Sequence, residues 1–295
     1  MQKIIVIGSN GMLGSEVTAF FVKKKCHVVG LDRADEFDFT DKNIVKNKLE
    51  ELKPDVVINC AAFTDVDGCE TEKGLSVAKS VNAQAPVDLV EICLELNIAC
   101  IHISTDYIFG DNISAGHIES DLSTGSMNAY GQTKLEAEKG ITELCGGLEE
   151  FDKSSFDNKD SKVYIIRISW LFGKGGENFV NKIITKAKNN EDLSVVDDEV
   201  GCPTYTYDVA KAMDYILEDD LKPGIYHVTS NNSCSRYDFA KYIINKIYPD
   251  INVKPCELAD FSRKAKVPNF SILRNRKLPK QRSWEEMVDD FSKKL

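Results

Sequence analysis

The sequence predicts a doubly wound α/β fold, in which helices cover both faces of a parallel sheet, followed by a smaller second domain. Three observations support this prediction. Short apolar runs rich in β-branched residues recur through residues 4–168, as in strands that are buried on both faces. Helical apolar patterns separate these runs. A glycine-rich turn follows the first run directly.

The first predicted strand, Ile4–Ile7, leads into glycines at positions 8, 11 and 14 and then into a helical pattern. Glycines in this place permit a tight turn and let backbone N–H groups approach a pyrophosphate at the helix N-terminus. The spacing is G-x-x-G-x-x-G, whereas the common dinucleotide fingerprint is G-x-G-x-x-G. The turn therefore favours a dinucleotide site, with a glycine-rich turn of some other α/β protein as the alternative.

The second predicted strand, His27–Leu31, ends at Asp32 and Arg33. An acid at this position accepts hydrogen bonds from the adenosine ribose and favours NAD, whereas an arginine can contact the 2′-phosphate of NADP. The two residues leave the choice between NADH and NADPH open. A helix is predicted from about residue 41 to residue 52.

Two further buried strands are predicted at residues 55–59 and 99–103, joined by a long helix from about residue 74 to residue 96. The small residues Cys60–Ala62 follow the first of these strands, and the polar residues Ser104–Asp106 follow the second. In a doubly wound sheet, the carboxyl ends of the strands line the ligand crevice. We therefore expect both segments to lie at one crevice.

Tyr130 and Lys134 are four residues apart in a segment, from about residue 126 to residue 144, that is predicted to be helical. Side chains at this spacing share one helix face. A lysine ammonium beside a phenol lowers the pKa of the phenol, which can then exchange a proton with an alkoxide. The same spacing occurs by chance on exposed helices, so alone it does not indicate a catalytic pair. The ligand crevice predicted from the preceding residues is what favours the catalytic interpretation.

The regular alternation ends after a strand at Val163–Ile168, which predicts a cofactor domain at residues 1–168 and a substrate domain at residues 169–295. Elements from about residues 200–230 are expected to return to the first domain. Residues 146–162 are polar and without periodicity, and we expect an exposed excursion there. The second half is predicted to contain helices at 179–188, from 207 and at 236–247, strands at 193–196 and 224–228, and a loop at 201–204.

Charge and cysteine usage narrow the function classes. The net charge of −10 argues against general nucleic-acid binding. Nine scattered cysteines without a Cys-x-x-Cys pair suit reduced thiols in a cytoplasmic protein, without a metal site. The N-terminus does not resemble a signal peptide, and the apolar runs are too short to cross a membrane. Residues 261–282 contain eight basic residues and no acid, which favours either a site for an anionic ligand or a solvated basic face.

Together these motifs resemble the extended short-chain dehydrogenase/reductases, and among them the dTDP-4-dehydrorhamnose reductase family. Tyr107 stands where sugar dehydratases of the same fold carry a glutamate, which argues against dehydration. Val267 and Phe270 depart from the family pattern R-P-x-N-S-x-L. The segments that carry the resemblance are Gly8–Gly14, Asn59–Ala62, Ser104–Phe109, Tyr130–Lys134, Arg167–Trp170, Asn178–Phe179 and Gly201–Thr204.

The resemblance implies a Rossmann domain with a C-terminal substrate-binding domain. It also implies NAD(P)H-dependent reduction of the C4 keto group of a nucleotide-linked 6-deoxysugar, closest to conversion of dTDP-4-dehydro-L-rhamnose to dTDP-L-rhamnose. By this resemblance, Tyr130 protonates the alkoxide, and Lys134 stabilises the phenolate and binds the nicotinamide ribose. Thr105 would orient the carbonyl.

The resemblance also assigns binding roles. The cofactor residues would be Gly8, Gly11, Met12, Leu13, Gly14, Asp32, Asp38, Phe39, Ala61, Ala62, Phe63, Thr64, Ile103, Tyr130 and Lys134. The substrate residues would be Thr105, Asp106, Trp170 and Asn178. Alternatively, Trp170 lies in the core between domains, Asp106 caps a local turn and Asn178 caps a helix. We expect a monomer or homodimer without nucleic-acid or membrane partners.

Two other functions remain open at this point. One is a different reductase of nucleotide-linked 4-keto-6-deoxysugars, or an epimerase that retains its NAD and needs no external reductant. The other is a non-catalytic NADP-binding regulatory subunit, since the β subunit of methionine adenosyltransferase resembles this family. Net consumption of NAD(P)H separates a reductase from an epimerase, and a stable complex with a larger enzyme favours the regulatory function.

Overall fold

The computed structural model describes residues 1–35, 37–147, 162–176 and 178–294. Its main feature is a six-stranded parallel sheet with the strand order β2-β1-β3-β4-β5-β10. The strands are β1 (Lys3–Ile7), β2 (His27–Leu31), β3 (Val56–Asn59), β4 (Ala99–Thr105), β5 (Val163–Ile168), β6 (Leu171–Phe172), β7 (Leu193–Val196), β8 (Val200–Gly201), β9 (Thr204–Tyr205), β10 (Gly224–His227), β11 (Cys234–Ser235), β12 (Val253–Cys256) and β13 (Phe270–Ser271).

Helices cover both faces of this sheet. The helices of the described residues, including those that pack away from this sheet, are α1 (Met12–Lys23), α2 (Lys42–Leu52), α3 (Glu72–Ala78), α4 (Ala85–Glu95), α5 (Ala129–Leu144), α6 (Phe179–Lys188), α7 (Thr206–Glu218), α8 (Arg236–Ile247) and α9 (Trp284–Ser292). No helix in the described ranges is long and apolar enough to cross a membrane.

The position of β1 at the middle of the sheet explains its continuous apolar sequence. Ile5 pairs with Val29 of β2 on one side and with Val57 of β3 on the other. Because helices cover both faces, every residue from Ile4 to Ile7 is buried. The chain passes from β1 to β2 and then crosses to β3, so the order reverses between β1 and β3. A ligand crevice is expected at this switch point, and the predicted fold class agrees with the sheet.

Alternate residues of the strands enter two separate cores. The core under α2, α4 and α5 includes Ile5, Ile7, Leu49, Leu89 and Ile141. The core under α1 and α7 includes Ile4, Val6, Val17, Val209 and Met213. Thus α7 and β10, which both lie in the predicted range 200–230, do pack with the first half of the chain. The domain boundary at residue 168 stays a prediction.

The second half contributes its own core between α6, α8 and α9. Its buried members include Phe172, Val180, Leu193, Phe239, Trp284 and Phe291. The sequence analysis identified neither β12 nor α9, and the predicted loop at 201–204 is flanked by the short strands β8 and β9. Strands of two residues are too short to produce an alternating pattern.

Two other predictions differ from the structure. The long helix predicted at 74–96 is divided by a π-helical turn at Lys79–Gln84. That turn places Asn82, which is fully buried, against the backbone N–H and carbonyl of Phe63 at 2.8 and 2.9 Å. The helix predicted from residue 126 begins at Ala129 because Asn128 caps it. Most of the excursion predicted at 146–162 lies outside the described residues.

Candidate active site

Two connected cavities run along the carboxyl ends of the strands. The smaller, of about 240 Å³, is lined by Gly8, Asp32, Asp38, Phe39 and Phe63, among others. The larger, of about 520 Å³, is lined by Met12, Leu13, Thr64, Ile103, Thr105, Asp106, Tyr130, Lys134, Trp170 and Asn178, among others. Gly11, Ala61 and Ala62 line both. The predicted site residues therefore meet in one crevice, except Gly14, which lies behind the glycine turn.

The glycine turn fits a pyrophosphate at the start of α1. Gly8 has a φ of +75°, and a Cβ there would lie 2.7 Å from the backbone nitrogen of Ala61. A Cβ on Gly14 would lie 2.1 Å from the carbonyl oxygen of Gly8. No side chain caps α1, so the N–H groups of its first turn remain available to an anion in the crevice.

Asp32 and Arg33, which left the choice between NADH and NADPH open, both line the smaller cavity. The Asp32 carboxylate accepts a hydrogen bond from the backbone N–H of Asn10 at 3.1 Å, which holds it at the end of β2. Arg33 is exposed and lines the same cavity. Buried Phe39 provides an apolar wall for an adenine ring. The glycine turn, the carboxylate and this wall together fit a nicotinamide adenine dinucleotide.

Lys134 enters the larger cavity from α5. Its side chain is nearly fully buried, and its ammonium donates a hydrogen bond to the carbonyl of Ile103 at 2.6 Å. Burial lowers the pKa of Lys134 to about 8, while the negative charge of Glu138 acts in the opposite direction. Lys134 therefore changes its charge close to neutral pH.

Tyr130 differs from the sequence-based prediction in the direction of its pKa. We expected Lys134 to lower it, but burial and the Asp106 carboxylate raise the pKa of the Tyr130 phenol, against a hydrogen bond with Thr105. The prediction was wrong because the ammonium is bound to a backbone carbonyl, while loss of solvent around the phenol disfavours the phenolate. Tyr130 is consequently protonated at neutral pH, as a proton donor must be.

Asp106 is a buried carboxylate of the cavity and does not cap the local turn. Its oxygens accept hydrogen bonds from the hydroxyls of Thr105 at 3.0 Å and Ser169 at 2.7 Å. The turn is instead capped by Thr105, which accepts from the N–H of Tyr107. Burial raises the pKa of the Asp106 carboxyl, although the hydrogen bonds of Ser169 and Thr105 oppose this.

Comparison with known proteins identifies the family. The family described as RmlD substrate binding domain matches residues 1–295 of the chain. The dTDP-4-dehydrorhamnose reductase of Aggregatibacter actinomycetemcomitans is 34% identical over 285 residues, which are 92% of this chain and 90% of that protein. The chain belongs to the dTDP-4-dehydrorhamnose reductase family.

Solved structures of the reductase family share the whole architecture. The reductase from Bacillus anthracis in complex with NADP has a TM-score of 0.89 at 29% identity, covering 100% of this chain and 99% of that chain. The Clostridium acetobutylicum reductase has a TM-score of 0.87 at 34% identity, covering 99% and 98%. The predicted family, Rossmann fold and reductase class are confirmed. The predicted cofactor, NADPH or NADH, agrees with the NADP in the Bacillus anthracis enzyme.

Two arginines that the sequence analysis did not select also enter the site of this reductase family member. The Arg236 side chain donates to Glu199 at 3.0 and 2.9 Å, and Arg263 lies 3.4 Å from the other oxygen of the same carboxylate. A third cavity, of about 420 Å³, shares Asn178, Phe179, Arg236 and Arg263 with the larger one. These residues therefore form the passage between the two cavities.

A signal for Arg236 was present in the sequence. It is the first residue of α8, and a positive charge is unfavourable at the N-terminus of a helix because of the helix dipole. An arginine at this position therefore suggests a role other than stabilising the helix. Arg263 belongs to the basic stretch at 261–282, for which the sequence left an anion site and a solvated basic face as alternatives. Arg282 of the same stretch pairs with Asp208 and Asp290 instead.

Trp170 and Asn178 each combine a structural contact with a place in the cavity. Trp170 is 8% exposed, and its indole Nε1 has no hydrogen-bond partner among the described residues. Asn178 caps α6 by accepting from the N–H of Asn181 at 3.0 Å, as the alternative interpretation held. In the described ranges, no group of His, Cys, Asp or Glu side chains could hold a metal ion.

Proposed function

We propose that this protein reduces the C4 keto group of a nucleotide-linked 6-deoxysugar, converting dTDP-4-dehydro-L-rhamnose to dTDP-L-rhamnose with NADPH or NADH. One observation carries this proposal. Tyr130, Thr105 and Lys134 converge in a cavity that opens on one side to the dinucleotide crevice and on the other to the passage formed by Arg236 and Arg263.

The bound coenzyme supplies the hydride that converts the C4 carbonyl carbon to an alkoxide carbon. Tyr130 gives its phenolic proton to that oxygen, and the transfer is favourable because an alkoxide is a stronger base than a phenolate. Lys134, when protonated, stabilises the phenolate that remains. The hydroxyl of Thr105 rotates about its C–O bond and can turn from Asp106 to the carbonyl, where such a donor contributes about 2.7–4 kcal/mol.

The passage between the cavities suits the diphosphate of the substrate. The guanidinium groups of Arg236 and Arg263 are held side by side by Glu199, and planar guanidinium groups bind phosphates through two hydrogen bonds. The third cavity beyond them combines apolar side chains such as Val195 and Phe261 with basic ones, which suits a nucleoside. The sugar would then lie beside Tyr130.

The departures from the family pattern do not oppose this substrate. Val267 is buried, and neither Val267 nor Phe270 lines the three cavities. Phe270 pairs with Val200 through the backbone, so the segment keeps its place beside β8. The next residue, Ser271, is buried as well. The two departures therefore give no reason to choose another sugar. The monomeric or homodimeric state and the cytoplasmic location stay predictions.

The test is the oxidation of NADPH or NADH by the purified protein with dTDP-4-dehydro-L-rhamnose, followed by absorbance of the reduced nicotinamide. Tyr130→Phe should abolish turnover and keep coenzyme binding. Tyr164→Phe is the matched control, since it removes another buried phenol whose hydroxyl donates to Leu221 away from the cavities. Turnover in this control and loss in Tyr130→Phe would support the proposal.

Other outcomes would identify the alternatives. Isomerised sugar without net oxidation of coenzyme would indicate an epimerase. No oxidation with either coenzyme, in protein that binds both, would overturn the proposed substrate. A stable complex with a larger enzyme in that case would indicate the regulatory function.

A further inference from the structure

A second buried charge lies one helical turn beyond Lys134. Glu138 follows Lys134 by four residues on α5, so the two side chains share one face of the helix. They are 2% and 3% exposed, respectively. A carboxylate and an ammonium are therefore both enclosed between α5 and the sheet, where charges interact more strongly than in water.

Glu138 is held in place from the sheet by Arg167 of β5. The guanidinium donates to one carboxylate oxygen at 3.0 Å and to the other at 2.7 Å. Arg167 is itself fixed by His227 at 3.3 Å and by the ring of Phe109, whose centroid lies 5.2 Å from the guanidinium carbon. A bidentate pair in such surroundings has one geometry, so the Glu138 charge is fixed relative to Lys134.

Three of the titratable side chains near Lys134 are neutral at pH 7. Burial raises the pKa of Cys60, which follows β3, to about 12, and lowers the pKa of His102 on β4. On α5 itself, the phenol of Tyr130 has a raised pKa. Among the described groups that face Lys134, Glu138 thus supplies the negative charge that offsets burial of the ammonium.

We propose that Glu138 is a positioning residue of the reduction, whose carboxylate, clamped by Arg167, keeps the Lys134 ammonium charged beside the crevice. This inference rests on the proposed function, in which Lys134 acts as a cation. Burial alone would favour neutral lysine. Because the pKa of Lys134 is about 8, a further decrease would remove its charge at the pH of the reaction.

The first experiment measures the charge of Lys134 directly. The side-chain NMR signals of Lys134 are followed as a function of pH in the coenzyme-free protein and assigned with Lys134→Met. Glu138→Gln should move the titration of Lys134 to lower pH by about one unit. Glu136→Gln, which removes an exposed carboxylate from the same helix two residues from Lys134, should leave it unchanged.

The second experiment measures the consequence for turnover. In Glu138→Gln, the alkaline limb of the pH profile of kcat should move down with the lysine titration, so that turnover falls about fivefold at pH 8 and recovers near pH 6. The KM for the nucleotide sugar should stay within about twofold, because Glu138 lies outside the substrate cavity. A merely structural role would lower kcat equally at every pH.

A second variant covers the case in which Glu138→Gln does not fold because Arg167 is left unpaired. The double variant Glu138→Leu/Arg167→Met replaces the whole ion pair by apolar side chains, which proteins tolerate better than half a pair. It should shift the lysine titration in the same direction but by less than Glu138→Gln does, because the Arg167 cation is removed together with the carboxylate. An unchanged titration of Lys134 in either folded variant overturns the inference. Because the titration needs no substrate, it remains valid if the proposed reduction fails.

Discussion

The guanidinium carbon of Arg236 lies 3.5 Å from the centroid of the Trp170 ring. This stack lies in the passage between the larger cavity, which contains Tyr130, and the third cavity. The backbone of Trp170 has a φ of +43°, which is unfavourable for an aromatic residue, and its ring lies against Gly201, where a Cβ would come within 2.4 Å of the ring. Local strain that the surrounding structure maintains is typical of functional sites.

This stack leads to a prediction for substrate binding. Arg236→Lys keeps the charge but loses both the planar fork on Glu199 and the stacking on Trp170. We expect the KM for the nucleotide sugar to rise by about 10–100-fold with a smaller change in kcat, measured by initial rates. Coenzyme affinity is the control and should not change. An unchanged KM would place the diphosphate elsewhere.

The strands around the crevice could be predicted because each is determined by its own few residues. Ile4–Ile7 and Val163–Ile168 are continuous apolar runs, as strands in the middle of a covered sheet must be. Tyr130 and Lys134 could be placed for the same reason, since helix periodicity alone puts them on one face. Local sequence therefore predicted both the sheet and the placement of Tyr130 and Lys134 on one helix face.

What could not be predicted depends on contacts between distant segments. The pairing of Arg236 and Arg263 with Glu199 joins residues 37 and 64 positions apart. The direction of the Tyr130 pKa depends on how deeply the folded cavity buries the phenol. The π-helical turn that positions Asn82 could not be predicted because the apolar residues around it follow nearly the same spacing as in an ordinary α-helix.

The glycine turn predicts unequal effects of two alanine substitutions. In Gly14→Ala the new Cβ would lie 2.1 Å from the carbonyl oxygen of Gly8, whereas in Gly11→Ala the nearest atom is 3.3 Å away. Backbone must move in the first case, so we expect Gly14→Ala to lower the free energy of unfolding by about 1–3 kcal/mol. Gly11→Ala should cost less. Urea unfolding measures both, and equal costs would contradict the packing argument.

Substitutions of Asp32 and Arg33 should change the affinities for NADPH and NADH to different extents. Arg33 is the basic side chain beside the expected ribose position, so Arg33→Ala should weaken NADPH binding by about tenfold and leave NADH within about twofold. Asp32→Asn should weaken NADH binding more than NADPH binding, because an ionised acceptor for the ribose hydroxyls is lost while repulsion of a 2′-phosphate is relieved. Fluorescence titration of each reduced coenzyme measures the affinities. Equal losses for both coenzymes in Arg33→Ala would exclude a 2′-phosphate contact.

Burial of the Lys134 ammonium is predicted to lower the free energy of unfolding, and the lysine is retained because turnover requires it. Its pKa of about 8 in the folded protein lies below the ordinary lysine value of 10.5, so the unfolded chain binds more protons between these values. Stability should consequently rise with pH across this window, and the rise should be absent in Lys134→Met. Below pH 8 the ammonium is buried in its charged form, and Lys134→Met should be more stable there by about 1–3 kcal/mol while losing turnover. Urea unfolding at pH 7 and pH 10 tests both statements. A variant no more stable than the parent at pH 7 would mean that Glu138 and the Ile103 carbonyl fully offset the burial of the charge.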